Sequence, residues 1–221
     1  MKIAILGAHG FLGTHLTEYY TNKGDSVIKL GRNYDITKAK DCNFLIHCAF
    51  IGGKESNTSK EIYKENIQIT KTLIGELKKH NLKIPIKYIS SIQESNPNSL
   101  YGKAKRDTTH ILGEYCIDNN IKFENYKLPN LFGTKGKPYY NCFVYTFAYN
   151  IVNNLESQYN TNPISLCHVL DAIQVIDNQK VKYKLYHTNV KEVYDRLNNI
   201  GSNEFDQKLN EILDYYKSIK Q

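Results

Sequence analysis

Tyr101 and Lys105 lie four residues apart in a segment of helical character, so their side chains share one face of that helix. A free phenol, with a pKa of about 10, exchanges protons poorly at neutral pH. An ammonium beside it stabilises the phenolate and draws its pKa toward the working range, which makes the pair a candidate for acid–base chemistry. Ser91 stands at the C-terminal tip of the strand before that helix, where open α/β sheets place their active sites. Gly7, Gly10 and Gly13 form a Gly-x-x-Gly-x-x-Gly loop directly behind the apolar run Ile3-Ala4-Ile5-Leu6. A strand that enters such a loop, followed by a helix from Phe11, is the start of a dinucleotide-binding βαβ unit. One glycine makes the tight turn, one lets backbone amides approach a pyrophosphate, and one lets helix pack on strand. The helix N-terminus then favours the anion.

The elements that must carry these residues follow from periodicity. Apolar runs predict strands at residues 2–6, 26–30, 43–48, 86–91 and 123–128, with a short extended piece at 34–36. Helices are expected over residues 11–22, 59–80 and 101–119, the second marked by Ile62, Ile69, Leu73, Ile74 and Leu77 at helical spacing. Between Ile36 and Asn43 there is room for barely one helical turn, so the crossover helix there is cut back. A polar loop is expected at 94–99. Beyond Gly133 the pattern changes to a Gly/Pro/Tyr-rich loop, an aromatic helix at 140–154, a short strand at 164–169 and helices at 189–199 and 203–217. Strands alternating with helices imply a parallel sheet. The reading is an α/β, Rossmann-type doubly wound domain over residues 1–133. Residues 134–221 form a small substrate-binding part intertwined with it.

Composition bounds the function. At 221 residues, 41% hydrophobic and 23% charged, the chain fits a soluble globular domain. No apolar run approaches the roughly 20 residues that span a bilayer, and Met1-Lys2 opens the first strand without a leader, so a cytoplasmic location and no membrane partner are expected. The five cysteines include no Cys-x-x-Cys pair and no clustered histidines, which argues against disulfides and against a metal site. The net charge of +7 suits either nucleic acid or an anionic dinucleotide and substrate. Lysines are spread along the whole chain rather than gathered on one helix, so no nucleic-acid partner is expected.

Taken together, Gly7-Ala8-His9-Gly10-Phe11-Leu12-Gly13, Ser90-Ser91 and Tyr101-Gly102-Lys103-Ala104-Lys105 resemble an extended short-chain dehydrogenase/reductase. His47-Cys48-Ala49 resembles the family's strand end beside the cofactor, Asn66 its Asn-Val-x-Gly-Thr helix, and Asp35-Ile36 its adenine contact. Lys127-Leu128-Pro129-Asn130-Leu131-Phe132-Gly133, Lys137-Pro138-Tyr139-Tyr140-Asn141 and Thr146 to Ile151 are similar to the capsule-biosynthesis reductases of the UDP-N-acetyl-L-fucosamine pathway, which reduce a 4-keto nucleotide sugar. Those enzymes carry a further metal-binding cupin domain with epimerase activity. This chain stops before any such domain, so reduction alone carries over. His168-Val169-Leu170-Asp171 looks like a late structural segment of the family.

The resemblance implies roles. Tyr101 gives a proton to the keto oxygen, Lys105 holds the nicotinamide ribose and depresses the Tyr101 pKa, and Ser91 hydrogen-bonds the keto oxygen. Gly7, Gly10, Phe11, Leu12, Gly13, Asp35, Ile36, Cys48, Ala49 and Leu128 line the cofactor with Tyr101 and Lys105. Gln93, Asn130, Lys137 and Asn141 join Ser91 on the nucleotide-sugar substrate. A homodimer is the family's habit. Cofactor choice hangs on Arg32: an NAD-preferring site places an acid at the end of strand two. Here Lys29-Leu30-Gly31-Arg32-Asn33 holds two cations and no acid. Arginine suits a ribose 2′-phosphate by charge and planar geometry, so NADPH is expected over NADH.

Three rival readings stand beside this one. A 4,6-dehydratase places an Asp-Glu pair directly after the hydroxyl residue; here Ile92-Gln93 follows Ser91, and Glu94 arrives one residue late. A combined epimerase/reductase needs a further acid and base, for which Cys142 or His168 is the candidate, though nothing in the sequence demands either. A silent NADP-sensing regulator could share the fold, although such proteins commonly lose the tyrosine or lysine.

Overall fold

The structure, a computed structural model, describes residues 1–52, 59–96, 98–140 and 142–220. Two compact units divide after Leu128, Met1–Leu128 and Pro129–Gln221.

The first unit is a parallel sheet. Strand β1 (Lys2–Leu6) leads through the glycine loop into α1 (Phe11–Asn22) and β2 (Ser26–Leu30). Then come β3 (Phe44–His47), α2 (Ser59–Lys79), β4 (Ile86–Ser91), α3 (Leu100–Asp118) and β5 (Phe123–Leu128). The spatial order is β2-β1-β3-β4-β5, every pair parallel. The chain runs outward from β1 to β2 and then returns to the other side of β1 as β3. The order therefore reverses between β1 and β3, and the crevice beyond their C-terminal ends is where open sheets of this kind bind ligands.

β4 lies between β3 and β5 in this order. All six of its residues are buried, as expected for a central parallel strand covered on both faces. On α2, Leu73 and Leu77 are fully buried against Leu45, Ile86 and Leu112, each contributing about 1.5–3 kcal/mol. Of the segment expected to be extended at 34–36, Asp35 is extended (φ −98°, ψ 107°), while Ile36 opens a single 3-10 turn, Ile36–Ala39. The cause is local. Asp35 accepts hydrogen bonds from the Thr37 N–H at 3.0 Å and the Thr37 hydroxyl at 2.6 Å, which caps the turn. The Asp35 carboxyl is held below its usual range by those bonds.

The second unit holds a three-stranded sheet, β6 (Asn130–Phe132), β7 (Pro163–His168) and β8 (Tyr186–Asn189), with β6 parallel and β8 antiparallel to β7. Helices α4 (Phe143–Val152), α5 (Val169–Ile176), α6 (Val190–Asn198) and α7 (Glu204–Lys220) accompany it. Neither β6, β8 nor α5 was expected from the sequence. Phe132 is fully buried at the centre of a ring cluster, 5.3 Å from His168, 5.9 Å from Tyr186 and 5.6 Å from Phe205. The late segment His168 to Asp171 is the entry to α5, and Asp171 pairs with Lys180 at 3.2 Å and Lys208 at 3.8 Å. The aromatic helix begins at Phe143 rather than at residue 140, because Lys135 (φ 62°) and Tyr139 (φ 57°) turn the preceding loop through left-handed backbone. Among the described residues no helix is long and apolar enough to cross a membrane.

Candidate functional site

The C-terminal ends of β1 and β3 meet at the glycine loop. Gly7 has φ 94°, and a Cβ there would sit 2.5 Å from the Ala49 nitrogen and 2.7 Å from its Cα. A Cβ on Gly13 would sit 2.1 Å from the Gly7 carbonyl oxygen and 2.7 Å from the Ala8 Cα. Gly7 thus seats the loop against the end of β3, and Gly13 seats α1 on the loop. Gly10 is the roomier of the three, with 3.3 Å to the Gly7 oxygen, and it caps α1 without any side-chain hydrogen bond. The first turn of α1 holds no acidic residue. A helix N-terminus of this form offers backbone amides and a positive dipole end to an anion.

Around the loop, Leu12 is buried, and Phe11 packs edge-on against His15 at 5.1 Å. The Cys48 thiol donates to the Leu6 carbonyl at 3.3 Å, and burial pushes it up to about 12, which leaves it an inert wall beside Ala49. Arg32 is exposed just past β2, and it makes no ion pair among the described residues. Ile36 is 1% exposed, its side chain in the hydrophobic core.

The second cluster gathers at the end of β4. Ser91 is buried, in register with Leu128 of β5. It caps a 3-10 turn, Ile92–Ser95, by accepting from the Gln93 N–H at 3.2 Å. The Tyr101 phenol is raised from its ordinary value by desolvation, the larger effect, and the nearby Ser91 hydroxyl opposes the rise; the residue as a whole stays 41% exposed. Gln93 is exposed, and its carbonyl abuts the first turn of α3 so closely that a Cβ on Gly102 would lie 2.0 Å from it. Ser99 caps α3 through the Gly102 N–H at 3.0 Å.

Lys105 is 4% exposed. Its ammonium donates to the Ile89 carbonyl at 2.9 Å and lies 4.1 Å over the Phe50 ring and 5.3 Å over the Tyr88 ring. Burial pulls it down to about 7, against the raising influence of Cys48 and Glu94. The expectation that Lys105 depresses the Tyr101 pKa is therefore corrected: the charge is aimed at a carbonyl and two rings, and Tyr101 titrates above its ordinary value. Phe50 was missed in the sequence. It touches both partners, edge-on to Tyr101 at 4.9 Å and face-on to Lys105, and its only signal was its place after His47-Cys48-Ala49.

His47 lies beneath, 1% exposed and edge-on to Tyr88 at 5.3 Å, with burial and then the Lys105 charge driving its imidazole down to about 3. The unfolded imidazole takes up a proton below about 6.5 that the folded one refuses, so stability falls as pH drops from about 6.5 toward 3, by at most about 1.4 kcal/mol per pH unit. Urea midpoints between pH 7 and 5 are expected to fall more steeply for the wild type than for His47→Phe; equal slopes would refute this.

In the second unit, Asn130 is exposed on β6 and donates to the Ser165 carbonyl at 3.4 Å, and Lys137 is exposed in the loop before α4. Asn141 lies outside the described residues. Cys142 caps α4, and His168 is buried in the Phe132 cluster. The cysteines described are free thiols, and among the described residues no group of three or more His, Cys, Asp or Glu side chains could hold a metal ion.

A family model described as "NAD dependent epimerase/dehydratase family" matches residues 3–178. The chain is similar to a UDP-2-acetamido-2,6-beta-L-arabino-hexul-4-ose reductase of Pseudomonas aeruginosa strain PA103, 29% identical over 184 residues, which cover 79% of this chain and 48% of the relative. Among solved structures it is similar to the capsular polysaccharide assembling protein CapF of Staphylococcus aureus, with TM-score 0.79, 24% identity, and coverage of 98% of this chain and 66% of that one. It is also similar to RMD of Pseudomonas aeruginosa complexed with NADPH, with TM-score 0.77, 14% identity, and coverage of 98% and 99%. The chain spans about half the length of the curated relative and 66% of CapF.

Proposed function

The chain belongs to the NAD dependent epimerase/dehydratase family, and we propose that within it the protein is an NADPH-dependent reductase. Its substrate is a UDP-linked 4-keto-6-deoxy sugar, reduced at C4, in the cytoplasm. The observation that carries this reading is the gathering of Ser91 at the end of β4 with Tyr101 on the first turn of α3 and Lys105 buried one turn further on, its ammonium on the Ile89 carbonyl. The matching reductase name supports the keto-sugar substrate.

The residues fit a dinucleotide. The loop carries no side chain where Gly7 and Gly13 meet backbone, and the uncapped start of α1 suits a pyrophosphate. When bound, NADPH supplies the hydride that is added to C4. Ser91 orients the keto oxygen through its hydroxyl. Tyr101, a protonated phenol at neutral pH, gives its proton to that oxygen as charge develops. Lys105 has three N–H donors, one of them on Ile89, and the others would be available to the ribose hydroxyls of a bound cofactor. Gln93, Asn130, Lys137 and Asn141 are proposed to contact the sugar nucleotide. The dehydratase reading lacks its acid: Glu94 is 4% exposed and engaged by Thr109, Asn125 and Lys127.

The test is NADPH oxidation with UDP- and dTDP-linked 4-keto-6-deoxy sugars. Turnover of the UDP sugar supports the reading; tight NADPH binding without turnover of any keto sugar refutes it in favour of a cofactor sensor.

NADPH over NADH rests on Arg32, exposed beyond β2 within a stretch, Lys29 to Asn33, that holds no acid. Arg32→Ala is expected to weaken NADPH binding about tenfold, or 1.4 kcal/mol, and to leave NADH binding unchanged. Fluorescence titration of both cofactors checks this. Equal affinities in the wild type, untouched by the variant, would overturn it.

A further inference from the structure

Glu94 is a buried carboxylate that the reaction above does not use. It sits in the turn that begins directly after Ser91, and it is 4% exposed. Its Oε1 accepts from the Thr109 hydroxyl at 2.7 Å, and its Oε2 accepts from the Asn125 amide at 3.4 Å and pairs with Lys127 at 3.4 Å. Its backbone carbonyl accepts from Arg106 at 2.8 Å. The same Thr109 hydroxyl lies 3.0 Å from the carbonyl of Lys105, so one side chain joins Glu94 to the lysine's own turn of α3. Burying a carboxylate is costly unless it is paired, and a surface turn of four residues has no need of one.

We infer that Glu94 is a positioning residue: its carboxylate clamps the turn that follows Ser91 to the helix carrying Tyr101 and Lys105, and through Thr109 it fixes the setting of the Lys105 side chain. The clamp is geometric. Glu94 reaches α3 through Thr109 and Arg106 and β5 through Asn125 and Lys127, while the Gln93 carbonyl rests on the Gly102 backbone. An electrostatic consequence follows from the company Lys105 keeps. His47 and Cys48 reach it from the end of β3, Tyr88 from β4 and Glu94 from the turn, with Tyr101 on its own helix. Glu94 is the one carboxylate among them. A negative charge near a buried ammonium opposes the loss of its proton. The direction agrees: burial lowers Lys105 to about 7, and Glu94 raises it.

The inference rests on the reductase reading only for its kinetic consequence, so the decisive readout is the lysine itself. In protein labelled with 13C at the lysine ε-carbon, with Lys105→Arg identifying the resonance, Lys105 is expected to titrate about one pH unit lower in Glu94→Gln than in the wild type. Glu94→Asp is expected to recover part of the difference. Lys127→Ala, at an exposed position, removes a competing cation and is expected to move the titration upward. An unchanged titration in folded Glu94→Gln overturns the inference. If that variant does not fold, a Lys127→Ala titration that fails to rise overturns it instead. Under the reductase reading, the alkaline fall of activity moves with the Lys105 titration. A shifted lysine in a protein that reduces no keto sugar leaves Glu94 in its role and removes the reductase reading.

Discussion

Tyr101→Phe is expected to lower kcat for reduction of a UDP-linked 4-keto-6-deoxy sugar by about 10²–10⁴-fold, the usual contribution of a positioned proton donor. The fold is expected to survive, because the ring itself packs edge-on against Phe50 at 4.9 Å and the variant keeps that ring. NADPH affinity is expected to stay near the wild-type value, since Lys105 is anchored by Ile89 and Phe50 rather than by the phenol. Desolvation raises the phenol above its ordinary value, with the nearby Ser91 hydroxyl opposing, so the group enters the reaction as a protonated acid. Steady-state kinetics with KM and kcat separated decide the matter. A variant that loses affinity but keeps kcat would remove Tyr101 as proton donor.

The second large effect belongs to Gly13. A methyl group there would meet the Gly7 carbonyl oxygen at 2.1 Å and the Ala8 Cα at 2.7 Å, and both are backbone that no rotamer change can move. Gly13→Ala is expected to destabilise the protein by about 1–3 kcal/mol through overpacking, and to push α1 off the loop so that NADPH affinity falls at least about tenfold. Gly75 supplies the contrast. It lies in α2 with nothing within 4 Å of its would-be Cβ, so Gly75→Ala is expected to stabilise by about 0.4–1 kcal/mol. Thermal melts of the two variants should move in opposite directions, and only Gly13→Ala should lose the cofactor. A Gly13→Ala protein with unchanged melting and binding would show that the close approach has no functional weight.

The alternating strands of the first unit were legible because each carries an apolar run bounded by turns, and α2 because its stripe spans several turns. The family was legible for a different reason. The glycine spacing, Ser91 and the Tyr101–Lys105 pair occur in the order that the sheet brings together at one set of strand ends. What could not be read is instructive. β6 and β8 have three and four residues, too few for a period-two pattern to stand out. α5 begins immediately after β7, so its apolar positions Val169, Ala172, Ile173 and Ile176 merged with those of the strand. The turn at Ile36 depends on one Asp35 side chain, which local pattern does not weigh. Within the site, residue identity gave Lys105 but not its aim. That aim depends on Phe50 and the Ile89 carbonyl, which are remote in sequence from the lysine and close only after folding.

The single 3-10 turn between β2 and β3 leaves β2 as the outermost strand of the sheet. A fuller crossover would build a wall beyond it; here Arg32 stands exposed at that border instead. Under the cofactor assignment proposed above, discrimination at this end is made by charge rather than by enclosure. A contact of that kind fades over a Debye length of about 8 Å at physiological ionic strength. Preference between the two nicotinamide cofactors then becomes a function of the salt around the protein, strongest in dilute buffer and eroding as counterions accumulate, while the glycine loop, which works by shape, stays indifferent to it.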